Sequence, residues 1–364
     1  SIASMRPILI GICLALVFLS ISPVSAATSV SGIISSKTTW SATDSPFQVT
    51  GHVTVASGVT LTIEPGVTVK FDSGKTLIID GTLVAQGTSS DGITFTSSAA
   101  SPALGDWGYI RFISSSTGTT FDGNGDYVSG SILEHCIVEY AGSYAGSGGF
   151  DYYVLGAPYI NSCTFTNNNG EVGAWRSTGS GYDSVKITDS NFTQNDGTAI
   201  RARNATITGN TITYNTEGVS FRGYSGSVIT NIVTDNVITH NTGNGIFGSF
   251  DEGEVTTISG NQIRDNGGVG VQIHSDNTPW TATTGTISGN TIVRNNLGGI
   301  RVGTGSGGEG GPGFTLNITN NTIADNSADN TLVGPSDVAG GGGIFIYEDN
   351  PTVNISYNRI HGNI

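Results

Sequence analysis

The sequence is built on a short repeat in which branched apolar residues and Asn recur at fixed spacing. The unit reads Ile-x-x-Asn-x-Ile-x-x-Asn and is followed, after three or four residues, by Gly and then Ile or Val. Asn is almost confined to these repeats, because one Asn precedes residue 161 and 28 follow it. The first polar position of each unit forms one column along the chain: His135, Cys163, Ser190, Asn210, Asn236, Asn261, Asn290, Asn321 and Asn358.

Successive members of this column are between 20 and 37 residues apart, so the repeat has no constant length. Such variation is typical of a β-solenoid, because constant strands carry the stacking while loops of any length are inserted between them. Ile and Val then point inward and stack on the next coil, roughly 4.8 Å away. Asn at the bends satisfies backbone groups that a tight turn buries. We expect a structural ladder of Asn210, Asn236, Asn261, Asn290, Asn321 and Asn358.

Composition supports an all-β chain with an acidic surface. Of 364 residues, 54 are Gly and one is Met, and Thr, Ser, Val and Ile are abundant, which favours strands and turns over long helices. Only 12% of the residues are charged, about half the share of an ordinary soluble domain. The net charge of −14 repels phosphate backbones, so we expect no nucleic-acid partner.

The first 26 residues read as a secretory signal peptide. Met5-Arg6 precedes an apolar run over residues 8–21, and small residues at 24–26 form a cleavage site near Ala26. The run is shorter than the roughly 20 residues that span a bilayer, and no later segment is apolar enough to serve as an anchor. We therefore expect a secreted or cell-surface protein without a membrane span, with the periplasm as a further possibility.

The rest of the chain divides into three predicted parts. Residues 27–50 are expected to cap the open end of the solenoid. Residues 51–134 show strict alternation in short segments separated by Ser-Gly, Pro-Gly and Asp-Gly turns, which predicts narrow coils. Residues 135–364 carry the Asn repeats and stop in the middle of one. That ending favours a truncated chain, or an edge that pairs in end-to-end or lateral self-association.

On these repeats the chain resembles the right-handed parallel β-helix repeat proteins of the pectate-lyase-like superfamily. The resemblance covers about residues 50–364 and implies a right-handed parallel β-helix, a β-solenoid, of roughly a dozen coils with an N-terminal cap. That superfamily includes pectate lyases, polygalacturonases, uronan epimerases, phage tailspikes, adhesins and non-catalytic surface proteins. The resemblance therefore implies the fold and leaves the activity open.

The strand that follows each Gly offers an outward face whose residues can be arranged in rows. The first row holds Arg201, Ser220, Phe247, Gln272, Arg301 and Phe345. The second row holds Arg203, Arg222, Ser249, His274, Gly303 and Tyr347. The third row holds Ala205, Tyr224, Asp251, Asp276, Gly305 and Asp349. Arg111 and the pair Trp175-Arg176 belong beside the same face.

Arg and aromatic side chains on one face of an acidic protein favour sugar binding. Guanidinium groups form paired hydrogen bonds with carboxylates, and aromatic rings stack on pyranose rings. The alternative is ordinary β-propensity and solubility. We expect a non-catalytic groove for an anionic or neutral polysaccharide, serving binding, adhesion or envelope structure. Its candidate residues are Arg111, Trp175, Arg201, Arg203, Arg222, Tyr224, Arg301 and Tyr347.

The second hypothesis is a polysaccharide lyase or glycoside hydrolase that acts on an acidic polysaccharide at Asp251, His274 and Asp276. Register places the two Asp residues one coil apart, with His274 as a proton carrier. Asp251, Glu252 and Asp276 also form an alternative Ca²⁺ site, and a solvated loop explains the same cluster. No organic cofactor is expected. The polygalacturonase motifs and the Asp-Pro-His signature of uronan epimerases are absent, so no catalytic role is carried over from the family.

A third hypothesis is ice binding through rows of Thr on another strand. Thr164, Thr211, Thr291 and Thr322 share one outward column, but Val237 interrupts it. Because ice binding needs flat and evenly spaced rows, β-propensity is the simpler explanation.

Overall fold

A computed structural model describes residues 26–142, 152–174, 184–222, 229–250, 254–275, 283–304, 314–328, 341–347 and 352–364. These residues form 37 strands and one turn of 3-10 helix, Ala42–Asp44. Nearly all strands belong to three parallel stacks that surround one core. The structure confirms the predicted all-β, right-handed parallel β-helix. No helix in the described ranges is long and apolar enough to cross a bilayer. Except for Ala26, the predicted signal peptide lies outside the described residues.

Sheet 1 contains twelve parallel strands, and each strand begins one coil of the solenoid. The coils are numbered from its first strand. Its strands are Thr38–Trp40, Thr60–Ile63, Thr82–Gln86, Ile132–Glu134, Tyr159–Asn161, Val185–Thr188, Ala205–Thr208, Thr230–Thr234, Val255–Ser259, Thr284–Ser288, Thr315–Thr319 and Thr352–Ser356.

Sheet 2 follows sheet 1 within every coil. It begins with residues 47–49 of the long strand Phe47–Val55. Its other strands are Thr68–Phe71, Ile93–Ser97, Cys136–Glu139, Thr164–Thr166, Asn191–Thr193, Thr211–Thr213, Val237–Thr239, Gln262–Arg264, Thr291–Val293, Thr322–Ala324 and Arg359–His361.

Sheet 3 precedes the loop that returns to sheet 1. It begins with residues 53–55 of Phe47–Val55. Its other strands are Leu77–Ile79, Ile110–Phe112, Tyr152–Gly156, Glu171–Ala174, Thr198–Ala202, Glu217–Arg222, Ile246–Phe250, Val271–Ser275, Ile300–Thr304 and Ile344–Tyr347.

Two elements lie outside this regular pattern. The strand Thr28–Ile34 pairs in parallel with Phe47–Val55, next to the first coil. Thr120–Phe121 and Tyr127–Ser129 form an antiparallel hairpin on the third coil. The predicted boundaries of the cap, the narrow coils and the Asn repeats stay predictions.

The core consists of inward side chains stacked from coil to coil. In sheet 2 the rings of Phe165 and Phe192 stack with centroids 4.8 Å apart, and Ile212, Ile238 and Ile263 continue the column. All five side chains are fully buried. Burying a side chain of this size contributes about 1.5–3 kcal/mol, and the contribution recurs in every coil. The alternation of inward apolar and outward polar residues therefore stabilises the solenoid along its whole length.

The corner between sheets 1 and 2 is filled by a ladder of buried Asn side chains. Asn236 shows the pattern, because its backbone N–H and its Nδ2 both donate to Oδ1 of Asn261, at 2.9 and 3.0 Å. The Nδ2 atom also donates to the carbonyl of Ile207 at 2.9 Å. The ladder joins Asn210, Asn236, Asn261, Asn290, Asn321 and Asn358. Each coil thus supplies the hydrogen-bond acceptor for the buried N–H groups at the corner of the preceding coil.

Towards the N-terminus this ladder continues through other residue types. The backbone N–H of Ser190 donates to Asn210, that of Cys163 donates to Ser190, and that of Cys136 donates to the Cys163 sulfur at 3.4 Å. The column predicted from the sequence began at His135. This was wrong by one residue, because the structure places Cys136 next to Cys163 in the ladder. His135 adopts the left-handed turn conformation, with φ of 47°, so the next residue points inward.

A second ladder fills the corner between sheets 2 and 3. There Asn215 Nδ2 donates to Oδ1 of Asn241, which donates in turn to Asn266. Its members are Asn168, Asn195, Asn215, Asn241, Asn266, Asn295, Asn326 and Asn363. A left-handed residue precedes most of these Asn residues, so the turn side chains in front of the ladder point outward.

Candidate functional site

The outward face of sheet 3 carries one continuous row of partly exposed side chains. Parallel pairing places Arg201 beside Ser220, Ser220 beside Phe247, and Phe247 beside Gln272. The row continues to Arg301 and Phe345. Apart from the buried Ser220, these side chains are half-buried. Neighbouring members are roughly 4.8 Å apart, so the row is an extended surface rather than a closed pocket.

The second predicted row is described mainly through its backbone. Ser249 pairs with Arg222 on one side and with His274 on the other, and His274 pairs with Gly303. Gly303 pairs with Tyr347. His274 is half-buried and Ser249 is buried. The structure therefore places the His274 side chain on the candidate face.

Arg111 lies on a sheet 3 strand, and Arg203 follows directly after the strand Thr198–Ala202. Arg203 is half-buried, and its backbone N–H donates to the carbonyl of Ala174. Arg111 belongs to the first row, but Leu155 and Gly173 separate it from Arg201. Arg111 thus lies several coils from the other candidate residues.

Gln272 and His274 form the densest polar cluster on this face. The Gln272 side-chain amide lies 2.5 Å from Nε2 of His274, and its oxygen accepts a hydrogen bond from Asn244 at 3.2 Å. The ring of Phe247 lies 5.3 Å from the imidazole. This arrangement offers an aromatic surface beside amide and imidazole groups, which is the chemistry that sugar hydroxyls and ring faces require.

The charge of Arg201 is already matched by a buried carboxylate. Its Nε donates to Oε1 of Glu171 at 2.6 Å, and Glu171 is 4% exposed. Burial raises the pKa of Glu171, and the hydrogen bond from Arg201 offsets part of that effect. The sequence pattern predicted that Arg201 binds an acidic sugar. The structure instead gives this guanidinium a carboxylate partner within the protein.

A groove of about 510 Å³ opens where sheet 3 meets the corner with sheet 2. Thr198 donates to Oε2 of Glu217 at 3.4 Å, and Thr216 donates to Oδ1 of Asp196 at the same distance. The groove is lined by Gly170, Glu171, Asp196, Gly197, Thr198, Arg201, Thr216, Glu217, Thr242 and Gly243.

Of the groove residues, the sequence analysis identified only Arg201. The available signal was an acid at the start of two sheet 3 strands, Glu171 and Glu217, just before the first outward row. No comparable pattern indicated Asp196 and Thr216. Each follows a ladder Asn in a turn whose spacing predicts the solenoid but no binding residue. The register of sheet 3 brings these residues of three coils together.

The turns next to the groove present an aromatic pair and an ion pair. The rings of Tyr214 and His240 stack 5.2 Å apart, and both side chains are exposed. Further along, Nε and Nη2 of Arg294 donate to the two carboxylate oxygens of Asp265 at 2.7 and 2.8 Å. Hydrogen bonds from Arg294 lower the pKa of Asp265. The exterior of this corner thus changes from aromatic to ionic along the solenoid.

Several candidate residues cannot be compared with this geometry. Those outside the described residues are Trp175, Tyr224, Asp251, Glu252 and Asp276. The catalytic cluster and the alternative Ca²⁺ site therefore stay predictions. Within the described ranges, no group of three or more His, Cys, Asp or Glu side chains is arranged to hold a metal ion.

The assignment of Ala205 to the third outward row was wrong. Ala205 is buried in a sheet 1 strand beside Val185.

Family models match most of the chain. Residues 122–284 and 178–317 match the model described as right handed beta helix region, and together they cover more than half of the sequence. Residues 32–148 match the model of the pectate-lyase like beta helix domain. These matches confirm the resemblance inferred from the repeats. No curated protein gives a significant match to the sequence.

Solved structures of β-helix proteins are similar to this chain at low identity. The A-module of the Azotobacter vinelandii mannuronan C-5 epimerase AlgE4 is 14% identical, with a TM-score of 0.49, and the match covers 93% of this chain and 87% of that one. The periplasmic alginate epimerase AlgG is 12% identical, with a TM-score of 0.40 and coverage of 86% and 76%. The Dettilon tailspike protein is 11% identical, with a TM-score of 0.26 and coverage of 91% and 62%.

Proposed function

We propose that this chain, which belongs to the right-handed β-helix family, binds a polysaccharide along the outward face of sheet 3. The observation that carries the proposal is the row of outward side chains from Arg201 to Phe345, all of them partly exposed except Ser220. Five of its six side chains are half-buried, and the 510 Å³ groove adjoins the row at the Arg201 end. A long and shallow surface of this kind suits an extended polymer better than a small molecule.

The chemistry of the row supports a sugar ligand. Phe247 and Phe345 offer ring faces that can stack on pyranose rings, and the Gln272 amide offers both a donor and an acceptor for hydroxyl groups. Arg301 adds a half-buried guanidinium, one of whose Nη atoms donates to the carbonyl of Leu297 at 3.4 Å. Aromatic and hydrogen-bonding groups are interspersed along the row, so every coil except that of the buried Ser220 can add one small contact to a polymer.

The enzymatic alternative stays open. A lyase or hydrolase at Asp251, His274 and Asp276 requires two carboxylates that lie outside the described residues. His274 lies beside the first row and within reach of the same ligand. Secretion, adhesion and ice binding also stay predictions. In sheet 2, Asn191, Val237 and Gln262 interrupt the row that contains Thr164 and Thr211, which argues against a regular lattice of hydroxyl groups.

A glycan array tests the binding proposal. We expect Phe247→Ala and Arg301→Ala to weaken binding of the strongest glycan by about tenfold each, which is the effect of losing one aromatic contact or one charged hydrogen bond. Tyr357→Ala and Arg359→Ala are the matched controls, because they remove an exposed Tyr and an exposed Arg away from sheet 3. Equal binding by all four variants would remove sheet 3 as the binding face.

A further inference from the structure

We infer that the groove beside Arg201 holds a sugar residue that carries a protonated amine, so that the polysaccharide is an amino-sugar polymer with free amino groups. This inference rests on the proposed function and names the class of glycan. It replaces the expectation, drawn from the Arg residues alone, that the polymer is anionic or neutral.

The groove contains two carboxylates that have no cationic partner in the described part of the chain. Glu217 and Asp196 each accept a hydrogen bond from a Thr hydroxyl, and both contacts are long at 3.4 Å. The ion pairs of the described residues join other groups, and within the groove the pair is Arg201 with Glu171. The remaining charge of the groove is therefore negative, and a cation is its natural complement.

Charge also disfavours the opposite class of ligand. A uronic acid in this groove would place its carboxylate beside Glu217 and Asp196, and like charges at short distance repel. Arg201 is the cation that could offset this repulsion, but its Nε is bound to the buried Glu171. The net charge of −14 adds a long-range field of the same sign.

The rest of the groove suits a sugar rather than a simple ion. The hydroxyls of Thr198, Thr216 and Thr242 line it, and hydroxyl groups are both donors and acceptors for the hydroxyls of a pyranose. Its volume of about 510 Å³ is far larger than a metal ion requires. Because it opens onto the first row of sheet 3, a polymer on that row can extend into it.

A separate feature points to the same ligand. The exposed pair Tyr214 and His240 lies on the turns that also carry Thr216 and Thr242. Tyr214 is 59% exposed, and its ring stacks on that of His240. Exposed aromatic rings stack on sugar rings, and their faces attract ammonium groups. Aromatic, carboxylate and hydroxyl groups are thus present on neighbouring coils.

A buried phenol lies in the core near Glu171. The Tyr153 hydroxyl is fully buried and has no hydrogen-bond partner among the described residues. Burial raises the pKa of Tyr153 well above its ordinary value, and the Glu171 carboxylate adds to the effect. Glu171 is buried and bound to Arg201, which leaves Glu217 and Asp196 as the carboxylates available to a ligand.

Calorimetric titration with three oligosaccharides of equal length tests the inference. The probes are an oligomer of glucosamine, its fully N-acetylated form and an oligomer of galacturonic acid. We expect the glucosamine oligomer to bind at least about tenfold more tightly than either of the others, and raised salt to weaken it. Equal or tighter binding of the acetylated or acidic oligomer would overturn the inference.

Carboxylate variants locate the effect in the groove. Glu217→Gln and Asp196→Asn are each expected to weaken binding of the glucosamine oligomer by about tenfold. Asp189→Asn, which removes an exposed carboxylate from the same coil as Asp196 but at the other corner, is expected to have no effect. Thermal unfolding confirms that the variants fold. If the oligomer binds all three variants as it binds the wild type, the groove is not the amine site.

The failure of this inference differs from the failure of the proposed function. If glycans bind, and Phe247→Ala weakens the binding while Glu217→Gln does not, the sheet 3 face is retained and the amine site is rejected. If no glycan on the array or in the titration binds, both are rejected.

Discussion

The second and seventh coils turn their corners in different ways. In the second coil the corners on either side of sheet 2 are four-residue turns that close on themselves, from the N–H of Val67 to the carbonyl of Glu64 at 3.3 Å and from the N–H of Lys75 to the carbonyl of Asp72 at 3.0 Å. In the seventh coil the corners are shorter, and side chains of the next coil accept their N–H groups, as Asn236 does for Asn210. The first solution satisfies the backbone locally, whereas the second makes each coil depend on its neighbour.

This difference predicts different responses to mutation. A change in a closed turn affects the conformation of that turn. A change in a ladder removes hydrogen bonds from two coils at once, because each rung both donates and accepts. We therefore expect the Asn-rich coils to be the more sensitive part of the solenoid, and four substitutions of decreasing effect test this comparison.

Asn261→Leu is expected to have the largest effect. It removes the acceptor of the Asn236 N–H and Nδ2 groups and the donor to the carbonyl of Val233. Because each buried unsatisfied group costs about 1–3 kcal/mol, we expect the free energy of unfolding to fall by roughly 3–5 kcal/mol. Urea denaturation measures this value. Asn296→Leu, at an exposed position, is the control, and a difference of less than about 1 kcal/mol between the two would contradict the ladder account.

Cys163→Ala is expected to have a smaller effect at the same corner. The sulfur of Cys163 accepts the N–H of Cys136 at 3.4 Å and donates to the carbonyl of Leu133. Sulfur is a weak hydrogen-bonding atom, so losing the Cys163 side chain removes less hydrogen-bond energy than losing an amide side chain. We expect a decrease of roughly 1–2 kcal/mol in the same denaturation experiment. A loss equal to that of Asn261→Leu would show that packing, rather than hydrogen bonding, dominates the corner.

Gly58→Ala tests the closed turn that leads into the second coil, from the N–H of Val59 to the carbonyl of Ala56 at 3.0 Å. Gly58 has φ of +72°, and a Cβ atom there would meet no heavy atom within 4 Å. The cost is therefore conformational and should be about 1 kcal/mol. Gly123→Ala is a useful control, because its added Cβ also meets no neighbour and its φ is not left-handed. If Gly58→Ala destabilised the chain as strongly as a ladder variant, the two kinds of corner would not differ.

Arg294→Ala is expected to have the smallest effect, because it acts on the outside of a ladder corner. The guanidinium is about half exposed, and exposed ion pairs contribute little, here less than about 0.5 kcal/mol at neutral pH. Hydrogen bonds from Arg294 lower the pKa of Asp265, so this contribution is present above the ordinary pKa of Asp, about 3.9, and is lost as the pH falls further. The wild type and the variant should therefore converge in acid. If the difference in unfolding free energy between the wild type and the variant grew as the pH falls, the pH dependence assigned to this ion pair would be wrong.

The sequence predicted the fold because one repeat encodes it at several levels. Inward Ile and Val, corner Asn and Gly after the turn recur together, and variable spacing excludes helical repeats. The misplacement of His135 shows the limit of this pattern. Both His135 and Cys136 are polar enough for a corner, and only the left-handed conformation of His135 decides which residue points inward.

The candidate site was less predictable, because it depends on contacts between coils. The row from Arg201 to Phe345 follows from simple register, and the sequence was sufficient for its order. The partner of Arg201 did not follow, since Glu171 lies one coil earlier, at the edge of its strand. Nor did the groove, which combines residues of sheet 3 strands with turn residues of four successive coils.

Carboxyl labelling in the presence of a glycan tests the central claim, that a polysaccharide occupies the face of sheet 3 and its groove. A water-soluble carbodiimide with an amine probe would label Glu217 and Asp196, and Asp189 serves as an internal reference on the same coil as Asp196. With the glycan selected by the array at saturation, we predict that labelling of Glu217 and Asp196 falls while that of Asp189 is unchanged. Unchanged labelling of all three residues would contradict the account.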